Sequence, residues 1–111
     1  MDNDLKTQLK RILERHEGRA RAITGRELAF MLEQKDDRGI RQIIRELISE
    51  GLPVASATNS PAGFFMVANY QEAREYADSI KGRLIEDAIR RRNFRRAADC
   101  HLRPVEQGSL W

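Results

Sequence analysis

The apolar positions of this chain fall into helical stripes with one interruption. Leu5, Leu9, Ile12 and Leu13 stand at i, i+4, i+7 and i+8, one face of a helix. They predict a first helix over about residues 4–17, with Gly18 as its stop. Thr24 followed by Glu27 has the spacing of a capping box, and Ile23 and Leu28 are placed to close the entry as a hydrophobic staple. A short second helix over about 25–34 follows, with Leu28, Ala29 and Leu32 inward. Lys35-Asp36-Asp37 breaks it, and either aspartate can cap a third helix. There Ile40, Ile43, Ile44, Leu47 and Ile48 make an apolar stripe that ends at Gly51, the usual residue one past a helix C-cap.

The period then changes. Leu52 to Ala57 reads as a short strand, Thr58 to Gly63 is dense in turn formers, and Phe64 to Val67 is a second strand of bulky β-formers. Together they predict a hairpin. Asn69 and Glu72 repeat the cap-plus-acid spacing and open a fourth helix, expected to reach about residue 98. Ala73, Ala77, Ile80, Leu84 and Ala88 share one of its faces, with Ile85 and Ile89 beside it. The near half, Ala73 to Ile80, is expected to pack on the core. The far half, Leu84 to Phe94, either pairs with a second copy as a homodimer or folds back in a monomer. Pro104 cannot continue a helix, and 104–111 is expected to be a loose tail.

The fold class is therefore mainly α with a small β-hairpin. The expected divisions are 1–69 for the helices and hairpin, 70–103 for a long basic C-terminal helix packed on or extending from them, and 104–111 for the tail. The 111 residues suit one such domain. The net charge of +3 is a mild basic bias that excludes little. A single cysteine, Cys100, closes no internal disulfide and fits a reducing compartment. No stretch approaches the roughly 20 apolar residues that span a bilayer, and the polar N-terminus is unlike a secretory signal. A cytoplasmic protein with no membrane partner is expected.

Three helices, a hairpin and a further helix is the order in which the second and third helices form a helix-turn-helix and the hairpin a wing. The stretch Asp37 to Val54, followed by Gly63-Phe64-Phe65-Met66, resembles winged helix-turn-helix domains like the one at the N-terminus of the biotin repressor. The whole chain is also similar to small phage- or prophage-associated winged-helix proteins that continue into a long basic helix. The specific resemblance covers roughly residues 5–68 and rests most on the Ile40/Ile44/Leu47/Gly51 register with Gly63-Phe64. It implies sequence-specific binding of double-stranded DNA by a small regulator or a replication or maintenance factor. The chain has no length for a ligase domain, so biotin chemistry does not carry over.

Given that order, Arg38, Arg41, Gln42 and Arg45 lie together opposite the apolar stripe of the third helix. Arginine can pair with guanine O6 and N7, and glutamine with adenine N6 and N7. Glu46 and Glu50 make the other end of the helix poor groove material. Gly39 costs about 1 kcal/mol of helix propensity and leaves room for a close approach. Arg26, with Thr24 and Gly25, is a candidate phosphate site, although capping alone explains Thr24. Asn59 and Ser60 can meet phosphate or the minor groove, or simply make a turn. Arg90, Arg91, Arg92, Arg95 and Arg96 form a basic run that either tracks DNA phosphates, binds an acidic protein, or is a solvated face. The alternative function is a protein–protein interaction module built on that helix.

Catalytic chemistry has no candidate. Adjacent Cys100 and His101 point about 100° apart on a helix, and His16 is distant in sequence. Asp36-Asp37 is better explained as a cap than as a carboxylate pair. Nothing has the spacing of a zinc site or a phosphate loop. The chain is expected to be no enzyme and to need no cofactor or metal.

Overall fold

A computed structural model describes residues 4–102. The elements run α1 (Leu5–Glu14), a 3-10 turn (Arg19–Arg21), α2 (Gly25–Met31), α3 (Arg38–Ser49), β1 (Val54–Ala57), β2 (Gly63–Met66) and α4 (Tyr70–Leu102). The chain is thus mainly helical, with a two-stranded antiparallel hairpin and a long C-terminal helix. It divides into two compact units, residues 1–76 and 77–111. The expected tail, 104–111, lies outside the described residues.

In the first unit, α1 contributes Leu9 and Leu13 to the core, α2 contributes Leu28 and Ala29, α3 contributes Ile40, Ile44 and Leu47, and β1 contributes Val54. Ile23 and Leu28, the staple pair, are buried in this same cluster. The stripe of α3 is narrower than expected: Ile43 is half-buried and Ile48 is 43% exposed. At about 100° per residue Ile48 stands some 80° round the helix from Ile40, at the edge of the buried arc.

The strand β2 is paired along both edges. On one side it meets β1 in the register Val54↔Met66, Ala55↔Phe65, Ser56↔Phe64 and Ala57↔Gly63. On the other, Phe64 exchanges both backbone bonds with Ile23 at 2.9 and 2.7 Å. Two residues on, Met66 N–H donates to the His16 carbonyl and Met66 C=O accepts from Gly18 N–H. These bonds explain why α1 ends at Glu14 rather than near residue 17. The backbone of 16–18 is spent on β2, and Gly18 takes φ +95° to reach it.

The helix ends follow local chemistry where the sequence carries it. The capping box on α2 is formed: Glu27 N–H donates to Thr24 Oγ1 at 3.0 Å, and Glu27 Oε1 accepts from Thr24 N–H at 3.2 Å. Gly51, at φ +109°, closes α3 with a Schellman pair of bonds, Gly51 N–H to Ile48 C=O and Leu52 N–H to Leu47 C=O. The same motif ends α2 with Glu33 at φ +55° in the position glycine usually fills. There Glu33 N–H meets Phe30 C=O and Gln34 N–H meets Ala29 C=O. That early Schellman closure stops α2 at Met31, short of residue 34. At the start of α3 the two aspartates divide the work. Asp37 occupies the N-cap position without capping through its side chain, while Asp36 Oδ1 accepts from Arg38 N–H at 3.1 Å.

At the start of α4, Asn69 Oδ1 accepts from Glu72 N–H at 2.9 Å. The Glu72 carboxylate accepts in turn from Ala68 N–H at 2.8 Å and from Arg19 N–H at 2.9 Å. The bond from Arg19, then that from Ala68, then the nearby Arg19 charge hold the Glu72 carboxyl below its ordinary value, against some desolvation. Beyond Tyr76, α4 continues as the second unit to Leu102, slightly past the expected residue 98, and no residue of α4 is fully buried. Ala73 is half-buried, whereas Ala77 and Ile80, also expected inward, are exposed.

Two outcomes test this construction. A Cβ at Gly63, where φ is +126°, would run into the Ile23 carbonyl and come within 2.6 Å of Thr24 N. Gly63→Ala is therefore expected to cost about 2–4 kcal/mol in denaturant unfolding, and a change within about 0.5 kcal/mol would refute the close approach. A carboxylate with a lowered pKa stabilises above its unfolded value, near 4.5, and loses that contribution as pH falls through its folded value. Glu72→Gln should thus destabilise the protein at pH 7, with a smaller gap to wild type at about pH 3. Unfolding midpoints at the two pH values report it.

Candidate nucleic-acid interface

The exposed edge of α3 is built by subtraction. With Ile40, Ile44 and Leu47 turned inward, Arg38, Arg41, Gln42 and Arg45 are left exposed over residues 38–45, the first two turns of the helix. The last turn is acidic but is occupied by Lys6 of α1, which bonds the Glu50 carboxylate and lies 3.8 Å from Glu46. That bond to Glu50, followed by the charges of Glu50, Glu46 and Asp4, raises the Lys6 ammonium above its usual value of 10.5 despite some desolvation. The helix therefore presents two cationic turns and a compensated last turn.

Each cation of the edge has a defined setting. Arg41 Nε donates to Asp37 Oδ2 at 2.9 Å, and its guanidinium carbon lies 5.4 Å from the centroid of the Phe64 ring. Arg45 Nη2 donates to Gln42 Oε1 at 2.7 Å. Arg38 has no ion pair among the described residues. A Cβ added at Gly39, beside Arg38, would meet nothing within 4 Å. The Arg41–Asp37 pair is an exposed i, i+4 contact, a class worth under about 1 kcal/mol, so Arg41 is oriented by Asp37 rather than buried with it.

The approach of α2 to α3 sets where that edge begins. Gly25 is buried, and a Cβ there would lie 2.9 Å from Asp37 Oδ2 and 3.2 Å from Asp37 Cβ. The missing side chain lets the two helix starts meet, and Asp37 then reaches Arg41. Arg26 is exposed on the first turn of α2. Beside it Thr24 Oγ1 is engaged by Glu27 N–H and donates to Glu27 Oε1 at 3.0 Å. The Thr24–Arg26 corner is thus a capped helix start with a carboxylate in place.

Asn59 and Ser60 are exposed in the hairpin loop, as expected of a turn. The hairpin has no cation of its own, but one is brought to it. The guanidinium of Arg19 donates through Nη2 to the Asn59 carbonyl at 2.8 Å and through Nη1 to the Pro61 carbonyl, and it lies 6.0 Å from the Phe65 ring centroid. Sequence reasoning missed Arg19. Its acceptors are main-chain carbonyls 40 and 42 residues away, and no side-chain pattern records such a contact.

In the second unit, Arg90, Arg91, Arg92 and Arg96 are exposed on α4 and Arg95 is half-buried. Arg90 Nη1 lies 3.5 Å from Asp87 Oδ1. Cys100 and His101 are exposed in the last turn. Among the described residues no helix is long and apolar enough to cross a membrane. Comparison of the chain with protein-family models, curated proteins and solved structures gives no match.

Proposed function

We propose that the first unit is a winged helix-turn-helix module that binds double-stranded DNA sequence-specifically, with α3 in the major groove. In this proposal α2 and α3 are the helix-turn-helix and the β1–β2 hairpin is the wing. The observation that carries it is the split surface of α3, where apolar residues are buried and Arg38, Arg41, Gln42 and Arg45 are exposed over the first two turns. Arg45 and Gln42 are already aligned with one another, so a bidentate contact to a purine edge needs little reordering. Arg41 exchanges its weak pair with Asp37 for a base or a phosphate. Gly39 leaves the backbone of the first turn open to a close phosphate. Arg19 fixes the hairpin loop in shape before any encounter, leaving Asn59 and Ser60 to face the duplex. A small regulator, or a factor in phage or plasmid replication or maintenance, is the biological role that such a module fits.

The experiment is selection from a random duplex pool, followed by anisotropy titration of the selected site. Arg41→Ala and Arg45→Ala are each expected to weaken specific binding by about 1–3 kcal/mol while leaving the thermal midpoint nearly unchanged. Gly39→Ala should stabilise the fold by up to about 1 kcal/mol yet weaken binding. An Arg41/Arg45 double variant with wild-type affinity would remove α3 from the interface, and failure of every duplex at low salt would remove DNA altogether.

A further inference from the structure

The second unit offers a surface that the DNA proposal does not use. Along α4 the residues Ala77, Ile80, Leu84, Asp87, Arg91, Phe94, Ala98 and His101 are spaced alternately by three and four. That is the a/d seam of a heptad repeat, with Ala77, Leu84, Arg91 and Ala98 at a, and Ile80, Asp87, Phe94 and His101 at d. Ile80, Leu84 and Phe94 are 39%, 65% and 63% exposed, respectively. Large exposed apolar residues at a and d positions on both sides of a charged centre form a surface on which helices pair. Ile85 and Ile89 fall at other heptad positions and take no part.

We propose that residues 77–101 of α4 pair with the same segment of a second copy of this chain as an antiparallel coiled coil. The polar interruption at the middle of the seam chooses the partner and its direction. In a parallel pair, a faces a and d faces d, so Asp87 would meet Asp87 and Arg91 would meet Arg91 at the centre. In an antiparallel pair, a faces d. The register that sets Asp87 against Arg91 of the partner subunit then also sets Leu84 against Phe94 of the partner subunit and Ile80 against Ala98 of the partner subunit. One register satisfies both charges, twice by symmetry, and fits large side chains against complementary ones. Asp87 already lies near a guanidinium, Arg90 of its own helix, in an exposed contact that the seam replaces. The flanks carry Lys81, Arg83 and Arg90, whose mutual repulsion keeps the association weak. This inference stands apart from the DNA proposal, because it rests on α4 alone and its test contains no DNA.

The test is sedimentation equilibrium of the full chain up to about 100 µM, with helicity followed by circular dichroism. Wild type is expected to dimerise in that range. Asp87→Arg should weaken the dimer about tenfold or more at unchanged helicity, since two cations then oppose each other on either side of the centre. The charge swap Asp87→Arg with Arg91→Asp should restore it, since each carboxylate again faces a guanidinium. Direction is read separately by a spin label on the natural Cys100. Antiparallel pairing centred near residue 89 places the two labelled positions about 33 Å apart along the axis, and parallel pairing about 10 Å apart. A monomer at about 100 µM, a dimer indifferent to Asp87→Arg, no recovery in the swap, or a short label distance would each overturn the proposal.

Discussion

The first unit depends on β2 being hydrogen-bonded along both of its edges. A four-residue strand in an isolated hairpin has little stability of its own. Here Phe64 and Met66 send their backbone groups to Ile23 and to the 16–18 segment, while the other edge pairs with β1. That second set of bonds fastens the chain between α1 and α2 to the hairpin. It fixes the end of α1, the entry of α2 and the position of Phe64 in one step. Gly63 permits it, because the backbone of Ile23 and Thr24 occupies the space a side chain would need.

From that fixed strand a short series of interactions leads to the exposed edge of α3. Phe64 lies beneath Arg41, Arg41 is bonded to Asp37, and Asp37 packs against the bare backbone of Gly25. Arg41 is therefore placed by tertiary structure as well as by helical spacing. Its neighbours Gln42 and Arg45 are ordered by each other. At the far end of the same helix Lys6 takes up two carboxylates that would otherwise repel a polyanion. The polarity of α3 arises from contacts on three different elements.

Much of this was legible in the sequence, and the exceptions share a cause. The capping box at Thr24 and Glu27, the glycine stop at Gly51, the buried face of α3 and the hairpin all follow from local chemistry, and all are present. The early end of α1 was not legible, because its cause is Met66, fifty residues away. Nor was the end of α2, since a glutamate in a left-handed conformation, as at Glu33, runs against local preference. Within the candidate site, helical period was enough to assemble the α3 edge. It could not reveal that Arg41 leans on Phe64, or that Arg19 serves a loop that lacks cations of its own.

Gly63 also bears on how this architecture can change over evolutionary time. Most positions of β2 and its neighbours tolerate exchange, because apolar bulk can be traded between facing side chains. Position 63 admits no such trade, for the obstacle is main chain and is present whatever the surrounding residues become. A descendant that kept the Ile23–Phe64 pairing would have to keep a glycine just before the aromatic residue. One that lost the glycine would have to rebuild the junction between its first two helices.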